Sequence, residues 1–176
     1  MLAAIWASPL SRVVPIAMAL LALQKALFVE VRPFGVIVQL LLAFAASAGA
    51  VAGTEQGAIT GFVLGLMFDL AVGTPLGVSA ITMGLAGHVA GWADRIRIDT
   101  TWWLAAGFVA LGSAVGESSV PVVRRFIGEE DAFSVELVTV VPVVTVSSAL
   151  LSVVLVPAAR WALRIERPMG KLAADG

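Results

Sequence analysis

The side chains able to do chemistry are few in this chain, and most of them fall inside apolar stretches. There is no cysteine and a single histidine, His88. Disulfides, thiol nucleophiles and the usual zinc sites are thereby excluded, and the redox character of the compartment is not written in the chain. Ser113 and Ser118 stand in no recognisable motif, and His88, the only imidazole base, belongs to the inner half of another span. Asp69 has no second aspartate at its level, only Glu117 in a different context, so a paired-carboxylate hydrolase is not supported. The expectation is a protein without catalytic residues, metal or cofactor, and not an enzyme.

What remains is a set of polar residues within apolar surroundings: Gln24, Lys25, Asp69 and Glu117, with Gln39 nearby. A carboxylate near the bilayer centre costs about 2.5–3.5 kcal/mol on insertion scales and needs a partner. Asp69 lies about five residues before a turn, or about 8 Å along a helix, which puts it in the outer third of the bilayer. Counting from span ends brings Lys25 and Glu117 to a similar depth, so a buried cluster of Gln24, Lys25, Asp69 and Glu117 is expected, with Lys25 as the counter-ion of Asp69. Such a cluster serves as structural glue or as the floor of a ligand site. His88 lies about 12 Å from the depth of Asp69, which rules out a dyad and leaves a histidine packed between helices as the expectation.

The elements that hold these residues follow from composition. Of 176 residues, 60% are hydrophobic and 13% charged, against roughly 25% charged in a soluble domain. A formal charge of -1, from 11 basic and 12 acidic residues, offers no basic surface for nucleic acid. Met1 to Ser11 has no basic residue ahead of its apolar part and is not read as a cleaved signal peptide. Six apolar stretches stand out, at about 13–31, 36–53, 57–72, 75–93, 102–121 and 135–159, followed by a tail over 160–176. None alternates as a barrel strand would. The reading is one domain, an all-α integral membrane bundle of six transmembrane helices, without internal repeat. Between the third and fourth spans, Gly73 suits a helix C-terminus, Thr74 an N-cap and Pro75 a first helical position.

Counting Lys and Arg in alternate loops gives orientation. Arg12, Arg95, Arg97, Arg160, Arg164, Arg167 and Lys171 share the side of both termini, against Lys25, Arg32, Arg124 and Arg125 on the other. The excess puts both termini in the cytoplasm. Trp6, Trp92, Trp102, Trp103 and Trp161 flank spans on that same side, where indoles anchor at headgroup level. The outer loop Val122–Ser134 is long enough for a short amphipathic surface helix, with Arg124 and Arg125 as a periplasmic contact. The basic tail reads as topogenic and lipid-binding.

Two stripes of small residues complete the pattern. In the third span Gly57, Gly61, Gly65, Asp69 and Gly73 recur every four residues, and the fourth answers with Gly77, Ala80, Gly84, Gly87 and Gly91. Removing side chains at this spacing lets backbones approach closely, so these positions, with Pro75, are expected to form a packing seam, either within the chain or against a partner's helix.

The run from Gly61 to Ile81, GFVLGLMFDLAVGTPLGVSAI, resembles the signature of the rod shape-determining MreD family. Gly61, Gly65, Leu66, Asp69, Leu70, Gly73, Pro75, Leu76 and Gly77 match in order and spacing. Gln24 stands where that family has a polar residue, and the length and six-span layout are similar, while the last two spans match in hydropathy alone. The resemblance implies a non-enzymatic cytoplasmic-membrane protein of the cell-elongation machinery. Its partner would be an MreC-like bitopic protein and, indirectly, MreB-like filaments and peptidoglycan synthases. It also implies a bundle similar to the substrate-binding components of energy-coupling-factor vitamin transporters, which supplies the alternative reading, a small-molecule binding subunit.

Overall fold

In the computed structural model, residues 10–27, 35–96, 102–129 and 137–163 are described. Among them the chain forms six α-helices and no strand: α1 Leu10–Leu27, α2 Leu40–Ala52, α3 Thr54–Val72, α4 Val78–Ala90, α5 Trp102–Phe126 and α6 Leu137–Leu163. A 3-10 segment, Gly91–Ile96, prolongs α4. Trp6, Arg32, Arg97, Arg164, Arg167 and Lys171 lie outside the described residues, as do the edges of the first and last expected spans and most of the tail.

The exterior is apolar, unlike that of a soluble protein, and several polar side chains are buried with the apolar core. Leu70 is 72% exposed, and Leu150 and Val154 are nearly as open, while Gln24, Asp69, Glu117, Ser47, Ser113 and Ser148 are buried. An apolar exterior of this extent requires an apolar solvent. Three helices, Thr54–Val72, Trp102–Phe126 and Val138–Leu163, are long and apolar enough to cross a membrane.

The second apolar stretch, expected over 36–53, is helical only over Leu40–Ala52. Thirteen residues rise about 20 Å, short of a bilayer core of about 30 Å. Every residue of α2 from Leu40 to Ala50 is buried. Its composition explains this, because a helix apolar all round belongs in an interior, and its run of Ala, Ser and Gly lets four neighbours close in. α3, α4, α5 and α6 surround it, whereas α1 makes the sparsest contacts of the six. Leu41, Leu42, Phe44, Leu64, Met83 and Val144 fill the core between them.

The α3–α4 pair is the most extensive helix contact, and the stripes explain its closeness. A Cβ built at Gly61 would run into the backbone carbonyl of Met83, and one at Gly65 into that of Ser79. Gly57 and Gly87 face each other in the same way, with Gly49 of α2 joining them. At Gly91 an added Cβ would come within 2.5 Å of Gly53 and Thr54 backbone. The seam is therefore consumed inside the chain and is not a free surface. Gly84 departs from expectation: its nearest neighbours to an added Cβ are Ala58 O at 3.4 Å and Phe62 at 3.7 Å, which is ordinary contact.

Helices alternate in direction, so the bundle has two ends. At the proximal end, which holds Leu10 and Leu163, the Arg12 guanidinium lies 5.1 Å from the Trp161 ring centre, and its Nη1 donates to Trp161 O at 3.4 Å. Trp92, Trp102 and Trp103 are exposed at this same end. His88, expected between helices, is instead exposed. It continues the outward row of Ile81 and Leu85, three or four residues apart on α4, while Ala86, Gly87 and Ala90 face inward. The expected surface helix after Val122 is also corrected as far as the structure describes it, because α5 runs unbroken to Phe126. Arg124 and Arg125 thus occupy its last turn and are exposed. Arg124 Nε lies 3.8 Å from Glu129 Oε2, a surface pair worth about 0–1 kcal/mol. Residues 130–136 lie outside the described residues.

Candidate functional site

The distal end gathers the polar residues, and it does so around the starts of the two short helices. The first four N–H groups of any helix lack intrahelical acceptors, and inside a membrane no water can serve them. α4 starts at Val78 with Gly77 as its N-cap residue, which has no side chain to accept a hydrogen bond. Asp69, one helix back and 1% exposed, supplies the missing acceptor. Its Oδ2 accepts from Gly77 N at 2.8 Å, and its Oδ1 accepts from Ser79 N at 3.2 Å and from Thr74 Oγ1 at 2.7 Å. The carboxylate also sits at the positive end of the α4 dipole. Asp69 is a remote N-cap.

This geometry corrects the turn read from sequence. Gly73 closes α3 in the left-handed region at φ 79, its N–H donating to Asp69 O at 2.9 Å. Thr74 does not cap α4 and Pro75 does not begin it; the helix starts later, and the Thr74 hydroxyl points back to Asp69. Gly77 takes φ 103, so both glycines serve the backbone path. A Cβ at Gly73 or Gly77 would meet nothing within 4 Å. Gly73, Pro75 and Gly77 therefore belong to the turn and not to the packing seam.

The start of α2 is served in parallel. Gln24 of α1 is buried, and its Oε1 accepts from Leu40 N at 3.0 Å, capping the first residue of α2. Gln39, the N-cap residue of α2, makes no cap bond of its own and donates from Nε2 to Glu117 Oε2 at 2.8 Å. Glu117 is buried on α5. A buried acid from a neighbouring helix thus stands near the start of each short helix, directly at α4 and through Gln39 at α2.

Lys25 does not pair with Asp69. It is exposed, and its Nζ donates to Ala71 O at 2.9 Å in the last turn of α3. That carbonyl would otherwise look to residue 75, which is proline and has no N–H. A cation here also complements the negative end of the α3 dipole. The two groups miss because the Asp69 carboxylate turns toward α4 while Lys25 arrives from α1. The expected single cluster is therefore two: Asp69 with the α3–α4 turn, and Gln24, Gln39 and Glu117 at the head of α2, with Lys25 at the rim. Sequence reasoning missed Thr74 and the Gly77 and Ser79 amides as partners of Asp69. The available signal was an acid preceding, by one turn, a helix start whose own cap position is glycine.

Between these groups lies a cavity of about 650 Å³. Leu21, Gln24 and Lys25 of α1, Gly35, the non-helical residues Val36, Ile37 and Gln39, Phe68 and Val72 of α3, and Thr139 and Val140 of α6 line it. Non-helical backbone at membrane depth is tolerated where it lines a cavity or is buried in protein, which accounts for the short α2.

No curated protein and no solved structure matches this chain. The family described as rod shape-determining protein MreD matches it over residues 9–164, from the start of α1 to the end of α6, and the chain belongs to that family, whose members are membrane proteins with a role in determining rod shape.

Proposed function

We propose that this protein is a non-enzymatic scaffold of the cell-elongation machinery in the cytoplasmic membrane. It crosses six times with both termini in the cytoplasm, binds an MreC-like bitopic protein, and through it supports lateral peptidoglycan synthesis beside MreB-like filaments. The observation that carries the reading is the family match over nearly the whole chain. The geometry supports it in two ways: the glycine seam builds a closely packed core from the chain's own helices, and exposed indoles gather at one end of the bundle beside Arg12, Arg95 and Arg160.

Loss of the protein should convert rods to rounded cells, restored by expression of the intact chain. Unchanged rod shape in the deletion strain would sink the proposal. For topology, a reporter fused after Gly176 should be active only in the cytoplasm; periplasmic activity would mean an odd number of crossings or the reverse orientation. At the distal end, reversing the charge of Arg124 and Arg125 together should weaken capture of the bitopic partner while the bundle stays folded, since both lie at the exposed end of α5. Capture equal to wild type would remove these arginines from the interface.

The cavity is the observation that favours the second reading, a small-molecule binding component similar to those of vitamin transporters. Nutrient rescue of the deletion strain, with normal shape in the rescued cells, would establish that reading in place of the scaffold.

A further inference from the structure

The distal cavity has a chemistry of its own. At about 650 Å³ it falls within the range of ligand sites, and its walls are mostly apolar, with Leu21, Ile37, Phe68 and Val140 from separate segments. Its side-chain amides and its charge come from α1 and the start of α2, and Thr139 of α6 adds a hydroxyl. Among the described residues Lys25 is the only formal charge on the lining, and its bond to Ala71 O leaves two of its three N–H donors and its full charge uncompensated by any carboxylate there. Gln24 spends its oxygen on Leu40 N and keeps its amide donors, next in sequence to Lys25. Glu117 is held behind Gln39 and is not on the wall. The positive end of the α2 dipole opens onto the same side, through Gln39. Donors and positive potential therefore sit at the rim, above an apolar chamber.

The rim is also at the right depth. Lys25 lies in the last described turn of α1 and bonds to the last turn of α3, so its ammonium is within about one helical turn of these helix ends, from where a lysine side chain can reach headgroups. Leu21 and Phe68 lie about one turn deeper. A ligand that satisfies both levels has an anionic head and an apolar tail.

We infer that the distal cavity is a binding site for an anionic membrane lipid, its phosphate held by Lys25 and the Gln24 amide and an acyl chain lying against Leu21, Ile37 and Phe68. This goes beyond the scaffold role and does not depend on it. α1, the helix with the sparsest contacts, contributes the head-binding residues and also caps α2 through Gln24. A bound lipid therefore fastens α1 to the rest of the bundle.

The test uses the full chain reconstituted in nanodiscs of phosphatidylcholine containing a minority of phosphatidylglycerol, then released into mild detergent and examined by native mass spectrometry. The expected result is one retained lipid per chain, enriched in phosphatidylglycerol about fivefold over its share of the bilayer, the ratio expected for one lysine near the surface. Lys25→Gln should abolish the enrichment while a lipid is still retained. Ile37→Trp and, separately, Val140→Trp should expel the lipid by filling the chamber, and thermal unfolding of each variant reports whether the bundle is intact. Inorganic phosphate and glycerol phosphate, added at millimolar concentration, should fail to displace the lipid. No retained lipid from an intact wild-type bundle, equal retention of both lipids, enrichment unchanged by Lys25→Gln, displacement by free phosphate, or retention of a water-soluble molecule in place of lipid would each overturn the assignment. If both tryptophan variants unfold, the Lys25→Gln comparison alone decides it.

Discussion

Gly61→Ala and Gly65→Ala are each expected to destabilise the bundle by about 1–3 kcal/mol, whereas Gly84→Ala should leave it within about 0.5 kcal/mol of wild type or raise it slightly. All three are helical glycines in the α3–α4 pair, so loss of backbone freedom is common to them and favours alanine by up to about 1 kcal/mol. What differs is the space available. At Gly61 and Gly65 the added methyl collides with carbonyl groups of the facing helix, which belong to its backbone and cannot rotate away. Those helices must separate, and in lipid they have no hydrophobic drive to compensate the lost van der Waals contact. At Gly84 the methyl meets Ala58 O at 3.4 Å and fits. Unfolding in mixed micelles, followed by circular dichroism against increasing denaturing detergent, reads the difference. Equal stability of all three variants would mean that the seam does not set the α3–α4 distance.

A second large effect is expected at Asp69. Asp69→Leu should cost about 3–5 kcal/mol and Asp69→Asn about 1–2 kcal/mol, because each buried donor left without an acceptor costs about 1–3 kcal/mol. Leucine abandons the Gly77 and Ser79 amides and the Thr74 hydroxyl together. Asparagine keeps one acceptor oxygen but presents an NH₂ group to the donors that faced the other, so it recovers only part of the cap. Thr74→Val isolates one bond and should cost about 1 kcal/mol. The same unfolding measurement serves, and rod-shape complementation gives an independent readout. If leucine and asparagine were equally tolerated, Asp69 would have no capping role. Lys25→Gln should not reproduce the Asp69 phenotype, since the two side chains do not meet.

The contrast among the glycines shows what a spacing rule can carry. A four-residue repeat marks one helix face, and Gly57, Gly61 and Gly65 were legible as a seam because the face stays straight for a few turns. Continuing the repeat to Gly73 carried the reading past the helix end, where the same residue type serves a left-handed turn. In α4 the steps of three and four drift around the axis, so Gly84 falls beside the contact while Gly87 falls in it. The all-helical class was legible from hydropathy, since lipid-facing and buried helices are both apolar. For that same reason the length of α2 was not, because an apolar non-helical segment lining a cavity reads like the helix it precedes. Asp69 announced itself as a buried acid, yet its partners are two backbone amides and a hydroxyl, and amides look alike in every sequence. Lys25 was therefore the wrong counter-ion to choose from charge alone.

α2 and α3 are joined by Gly53 alone, with Ala52 ending one helix and Thr54 beginning the next. The turn is pressed against Gly91, where a single methyl would touch its backbone. A corner this short has consequences while the chain is still being made. As it leaves the ribosome, the first of these helices is too short to hold a stable transmembrane position alone, and the second must double back at once. The pair is therefore expected to enter the bilayer together, and the corner offers no slack for a tag, a protease site or an inserted domain.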